Sequence, residues 1–254
     1  MAELAVYTVW VPTLMLVIFR VAGIFIMAPL LSDSNIPIPV KILLSVILGL
    51  AVTARLTLPV AMPDTWLSLV MGIGGEMLIG ATIGYTTSLI FVGVQIGAEQ
   101  MAQQMGIALA SVFNPMIEDA TNALGGLFDI TVLAIFLVIG GHRAMIGALM
   151  DSFGQVPLMG FSVQVGLLEA VLSLLTASFV LAMKLAAPTL VALFLATIAM
   201  GIIQKTMPQL NILSVGFQVR VLLALVILAV GVASLLPLLQ RGWEITMQEL
   251  VKVF

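Results

Sequence analysis

From Met77 to Ala98 the chain carries no charged side chain. A run of that length can cross a bilayer as a helix, which needs roughly 20 consecutive, mostly apolar residues. Comparable runs recur at about Val6–Leu31, Val40–Leu58, Thr121–Ile139, Val163–Gln204 and Val219–Leu239. In lipid, only helices and closed barrels satisfy their own backbone groups. The strand-length alternation of a membrane barrel is absent from this sequence. Residues are 62% hydrophobic and 8% charged, whereas a soluble domain carries about 25% charged residues. Such a chain cannot cover its own surface in water. The fold class expected is therefore an all-α integral membrane protein, with room for about five to seven spans.

Breaks between the runs are marked by proline and polar residues. Ser32–Asn35 with Pro37 and Pro39 forms one, and Pro59–Pro63 another, after which Asp64 or Thr65 can cap the next helix. Gly140–Gly141–His142–Arg143 breaks or kinks the fourth segment, and a short helix to Phe153 and a loop around Pro157 and Gly160 follow. Pro188 should kink the long fifth segment. Lys205–Leu213 reads as a loop, and Arg241–Phe254 as an amphipathic tail with Trp243 as an interface anchor. The N-terminal MAELAVYTVW lacks the features of a cleaved signal and reads as the start of the first helix.

The third segment is rich in glycine. Gly80 with Gly84, and Gly93 with Gly97, have the small-xxx-small spacing that lets helices approach closely in lipid. Glycine is also simply common in membrane helices. Farther along, Ser88, Gln95, Glu99 and Gln103 recur near the helical period, and Gln100 and Gln104 widen the stripe. Such a face points at a cavity or a polar partner, or else belongs to a helix that has left the membrane. The helical pattern extends to about Val112.

That face leads into Gln103–Leu127, where the sequence becomes small, polar and irregular. Asn114–Pro115, Glu118–Asp119 and Gly125–Gly126 interrupt it. Irregular backbone at membrane depth survives only where protein buries it or it lines an aqueous cavity. The stretch is therefore expected in or across a passage.

Chemistry-bearing motifs are missing. One histidine and no cysteine exclude HExxH, multi-histidine and thiolate metal sites. No GxSxG or P-loop occurs, so neither catalysis nor a cofactor or metal is expected. With a net charge of −3 and no basic patch, nucleic-acid binding has no support. Arg20, Arg55, Glu76, Asp129 and Lys184 lie within the apolar segments. Charges there are costly and signal function. They suit a transporter's ion site or, equally, interhelical or intersubunit pairs; Arg20 or Lys184 can pair with Glu76 or Asp129. Because lysine and arginine lie inside segments rather than in loops, charge bias does not orient the chain. Met101, Met105 and Met116 flank the irregular stretch, as a deformable seal or as core filling.

Four stretches resemble the FliR/SctT family of type III export gate subunits. They are APLLSDSNIPIPVKILLSVILGL (Ala28–Leu50), GAEQMAQQMGIALASVFNP (Gly97–Pro115), Gly140–Gly160 and MPQLNILSVGFQVR (Met207–Arg220). Their order and spacing also match. The resemblance implies bent helical hairpins, with a FliP-like part over about 1–160 and a FliQ-like hairpin over about 161–254. AAPTLVALFLATIAMGIIQ (Ala186–Gln204) is similar to a FliQ helix. In that family such a subunit completes a helical ring with FliP and FliQ around a pore, and the hairpins are held largely above the membrane plane.

The family's counterpart of the irregular stretch is a plug that closes the pore. Here it would comprise Ala110, Ser111, Val112, Phe113, Asn114, Pro115, Met116, Ile117, Glu118 and Asp119, extending to about Ala123. Gln95, Glu99, Gln103, Met105 and Gly106 would support it or face the lumen. Arg20, Glu76, Asp129 and Lys184 would be intersubunit or buried charges. Many relatives have an acidic residue where this chain has Asn114, and a histidine where it has Arg143. Closure by shape and packing is therefore expected, rather than closure by charge. The implied partners are FliP and FliQ, FlhB and FlhA, the MS ring of the basal body and transient unfolded export substrates, at the bacterial inner membrane. An injectisome subunit of the SctT type is the near alternative. A secondary transporter using Glu76, Asp129 and Lys184 is the competing class.

Overall fold

The computed structural model describes the backbone of residues 2–29, 31–32, 36–55, 65–106, 119–160, 165–207 and 212–253. Within these, side chains at 2–9, 119–124, 165–171, 212–214, 230–235 and 247–253 lie outside the described set. The described residues form helices and no strand. The helices are α1 (Ala2–Met27), α2 (Ile38–Thr53), α3 (Trp66–Met105), α4 (Asp119–Val138), α5 (Gly141–Gln155), α6 (Val165–Thr206) and α7 (Ile212–Val253). Three of them hold runs long and apolar enough to cross a membrane, at Trp10–Met27, Trp66–Met105 and Leu172–Thr206. A fourth is added if Gly125–Val138 and Gly141–Gln155 count as one broken span.

Local chemistry sets most of the ends. Pro37 precedes α2 and Pro39 occupies its first turn, where a missing N–H costs nothing. The α2 helix stops at Thr53, so Arg55 lies beyond it and is exposed, not inside an apolar segment as the sequence implied. Thr65 caps α3, its Oγ1 accepting from the Ser68 amide at 3.3 Å. The helix ends at Met105, where Gly106 turns left-handed (φ +83°), and the expected extension to Val112 lies outside the described residues. Gly140 does the same between α4 and α5 (φ +77°). Gly125 and Gly126 lie inside α4 rather than interrupting it. The α6 helix continues through Pro188 for 42 residues, about 63 Å at 1.5 Å per residue. The sixth segment and the amphipathic tail form a single helix, α7, which also contains Pro237.

The chain divides into two compact units, each built from interleaved stretches of sequence. The first comprises Met1–Leu89, Gly140–Leu174 and Glu244–Phe254; the second comprises Ile90–Ile139 and Leu175–Trp243. The division near residue 160 implied by the resemblance is one of likeness, which is a different property from compactness.

In the first unit Val17, Val21, Ile24 and Phe25 of α1 pack with Val52, Ile79, Ile83, Met145 and Leu149. Lipid offers no hydrophobic drive between helices, so close packing must hold them. Gly23 and Gly80 supply it: a Cβ on Gly80 would collide with the Arg20 carbonyl oxygen. On Gly84 it would lie 2.9 Å from the Ala28 nitrogen.

In the second unit Val94, Ala98 and Met101 of α3 pack with Phe128 and Val132 of α4, Leu181 and Leu185 of α6, and Leu239 of α7. Gly93 and Gly97 lie against the Ser178 and Ala182 carbonyls, where a Cβ would sit at 2.6 and 3.0 Å. The two small-xxx-small pairs of α3 therefore serve different units. Trp243, half-buried, packs edge-on against Phe136 at 5.2 Å, and Phe136 against Phe91 at 5.5 Å.

Buried hydroxyls turn back on their own helices. Thr53 donates to the Gly49 carbonyl at 2.7 Å and Thr87 to the Ile83 carbonyl at 3.1 Å, as apolar surroundings require. Large apolar side chains stay exposed along α2 (Ile42, Leu43, Ile47) and α6 (Phe179, Met183, Phe194, Ile202). Lipid or partner subunits must cover such faces.

Candidate functional site

The second half of α3 is two-faced. Gln95, Glu99 and Gln103 share one side, with Gln100 and Gln104 beside them, and all five are exposed. Ser88, aligned with them in sequence, is half-buried and donates to the Tyr85 carbonyl at 2.7 Å. On the other side Val94, Ala98, Met101, Ala102 and Met105 are buried. Backbone contact of Gly93 and Gly97 with α6 fixes this rotation, so the amides cannot turn inward. Met105 is sealed against Leu193 of α6 and Ala224 of α7. Both Met101 and Met105 are thus core residues backing the polar face.

Gly106, buried, closes the helix directly after Met105. The expected plug residues Ala110, Ser111, Val112, Phe113, Asn114, Pro115, Met116, Ile117 and Glu118 lie outside the described residues. Asp119 is the first residue of α4, and its side chain is not described. Asp129, on α4 in the same unit as Glu99, is half-buried.

The charges in the first unit are arranged differently. Arg20 and Glu76 are wholly buried and form an ion pair, Arg20 Nε donating to Glu76 Oε2. One terminal guanidinium nitrogen donates to Ser152 Oγ at 3.2 Å and the other to the Val156 carbonyl at 3.1 Å. The guanidinium lies over the Phe153 ring, 4.2 Å from its centroid. Glu76 Oε1 accepts from the Met159 amide at 2.8 Å. The pair ties α1, α3, α5 and the turn after α5 into one knot. Met159 holds a left-handed backbone there (φ +65°), which is costly for a residue with a Cβ.

Of the pairings open in sequence, the structure contains Arg20 with Glu76. Lys184 is exposed on α6. Sequence reasoning missed Ser152, Phe153, the Val156 carbonyl and the Met159 amide. Two of these are backbone groups, which leave no mark in a sequence. Each Glu76 oxygen accepts one hydrogen bond within the chain, from Arg20 and from the Met159 amide. Among the described residues no group of three or more His, Asp or Glu could hold a metal ion. The Arg20–Glu76 pair and its partners fix helices, and the exposed polar groups of α3 form a strip along one face.

Residues 11–245 match the family model described as bacterial export proteins, family 1. The chain is 26% identical to flagellar biosynthetic protein FliR of Buchnera aphidicola subsp. Acyrthosiphon pisum, over 87% of this chain and 86% of the relative. Identity to FliR of Pectobacterium carotovorum is 29%, over 91% and 86% of the two chains. Yop proteins translocation protein T of Yersinia pestis is 27% identical over 64% of this chain and 63% of its own. With nearly its whole length matched in this way, the chain belongs to the bacterial export proteins of family 1, the FliR family.

Proposed function

We propose that this chain is a core subunit of a flagellar type III protein export gate, through which unfolded flagellar proteins leave the cytoplasm. Relatives named as flagellar biosynthetic proteins match it over most of its length, which supports the coarser reading of an export apparatus subunit. In the finer reading it completes a ring with FliP and FliQ at the bacterial inner membrane. FlhA, FlhB and the MS ring of the basal body are its neighbours, and it contributes no catalysis.

The observation that carries the gate reading is the polar face of α3. A line of exposed amides and one carboxylate is backed by sealed methionines, and the helix stops at Gly106 immediately before the irregular stretch. This face borders the pore and Ala110–Ala123 closes it. Deletion of Ala110–Ala123 should leave the complex assembled and make it leak ions or small molecules. An assembled complex that stays tight overturns the plug.

A second reading, an injectisome subunit of the SctT type, draws on the likeness to Yop proteins translocation protein T. Restored motility in a flagellar strain lacking its own FliR favours the first reading. Restored injectisome secretion without motility favours the second.

A further inference from the structure

Within the first unit, α1 and α3 run side by side in the same direction. Arg20 meets Glu76, Gly23 lies against Gly80 and Ala28 against Gly84, all at an offset of 56 residues within one. Carried to the start of α3, that offset sets Trp10 level with Trp66. Both indoles are exposed, Trp66 at 83% and Trp10 at 38%.

The α2 helix returns alongside α1, with Gly49 against Ile18. Its connection is short and partly turned, Leu31 and Ser32 donating back to Pro29 and Ala28, so α2 runs antiparallel. Arg55, exposed just past the end of α2, therefore lies toward the same end as the two tryptophans. From that level inward the outer face of α3 is aliphatic, with Val70, Met71 and Leu78 exposed.

We propose that this end of the α1–α2–α3 bundle is seated at a lipid headgroup boundary. The indoles occupy the interfacial layer, Arg55 reaches lipid phosphate and the Val70–Leu78 face lies in hydrocarbon. A cation and two indoles near one level, with aliphatic side chains inward of them, match the layers of a bilayer leaflet. Tryptophan and arginine collect at that boundary because each joins an apolar body to a polar tip. The proposal rests on the chain's membrane character and not on its place in an export gate. It marks the part of the bundle that keeps contact with lipid if the remaining hairpins stand above the membrane.

The chain contains no cysteine, so single reporters are unambiguous. Trp66→Cys, Val70→Cys and Leu78→Cys each replace an exposed side chain. Together they sample about 18 Å of helix at 1.5 Å per residue. Each would carry a nitroxide in the full-length protein, reconstituted in vesicles of phosphatidylethanolamine and phosphatidylglycerol. Collision rates would be measured with oxygen, which concentrates in hydrocarbon, and with a water-soluble nickel chelate. The oxygen-to-nickel ratio should be low at 66 and rise stepwise through 70 to 78. High nickel collision at all three places the face in water and overturns the proposal. Low collision with both reagents at all three means protein covers the face, and overturns it equally.

Discussion

Glu76 and Glu99 stand on the same helix and meet opposite environments. Glu76, in the half of α3 that belongs to the first unit, is fully buried, with both oxygens accepting from Arg20 and Met159. Glu99, in the half belonging to the second unit, is exposed among glutamines. Removing a charge from water costs several kcal/mol, so a buried one persists only when its partners are complete. An exposed one keeps its water and needs no partner. The first carboxylate therefore holds helices together, while the second faces away from the core of its unit. One helix meets both environments because Gly80 and Gly84 pack in the first unit and Gly93 and Gly97 in the second.

The largest expected effect comes from breaking the first arrangement. Glu76→Ala leaves the Arg20 guanidinium buried without its counter-charge and should cost about 3–5 kcal/mol. Glu99→Ala should cost no more than about 0.5 kcal/mol. Equilibrium unfolding in mixed micelles would compare them, and equal losses would break the contrast. Combining Arg20→Met with Glu76→Met should recover most of the single-variant loss, since a buried pair is often replaceable by apolar side chains.

Next in size is the contact that sets the rotation. Gly80→Ala forces a Cβ onto the Arg20 carbonyl oxygen and should destabilise by about 1–3 kcal/mol. Gly74→Ala meets nothing within 4 Å and should stabilise slightly, by about 0.5–1 kcal/mol. Loss of thermal stability in both would mean that helix propensity does not govern the open site.

Smaller again is Met159→Gly. It relieves the left-handed backbone and keeps the amide that Glu76 accepts from, but loses the side chain packed over Gly72, so the net change should stay within about 1 kcal/mol. Thermal unfolding of Met159→Gly beside the unsubstituted chain would measure this. The smallest change in stability belongs to Gln103→Ala on the polar face, at about 0.5 kcal/mol or less. Its effect should appear in export rate or ion leakage of the assembled complex. A variant that loses stability but not transport would assign Gln103 to the fold instead.

The sequence made the helical character and the α3 glycine contacts legible, because absent charge and small-residue spacing have few other physical meanings. It also placed Gln95, Glu99 and Gln103 on one face, and the structure leaves all three exposed. It could not select Arg20 over Lys184 as the partner of Glu76, since a 56-residue offset is a packing register and not a local pattern. The packing of Trp243 on Phe136 and Leu239 was likewise hidden, since it joins residues more than 100 positions apart as well as near neighbours. The helix end at Met105 was lost for a different reason: apolar periodicity carries on past Gly106, while the backbone turns left-handed there. The apolar span and the amphipathic tail merged in α7 because Pro237 did not stop the helix.

The Arg20–Glu76 knot also bears on how the chain is made. Arg20 emerges from the ribosome 56 residues before Glu76, a delay of roughly 3–11 s at about 5–20 residues per second. During that interval α1 presents a lone cation that lipid penalises by about 2.5–3.5 kcal/mol at mid-helix. Alone, the first helix inserts less favourably than its apolar length suggests. Pairing with Glu76 lifts that penalty once α3 has been made, which couples the placement of the two helices.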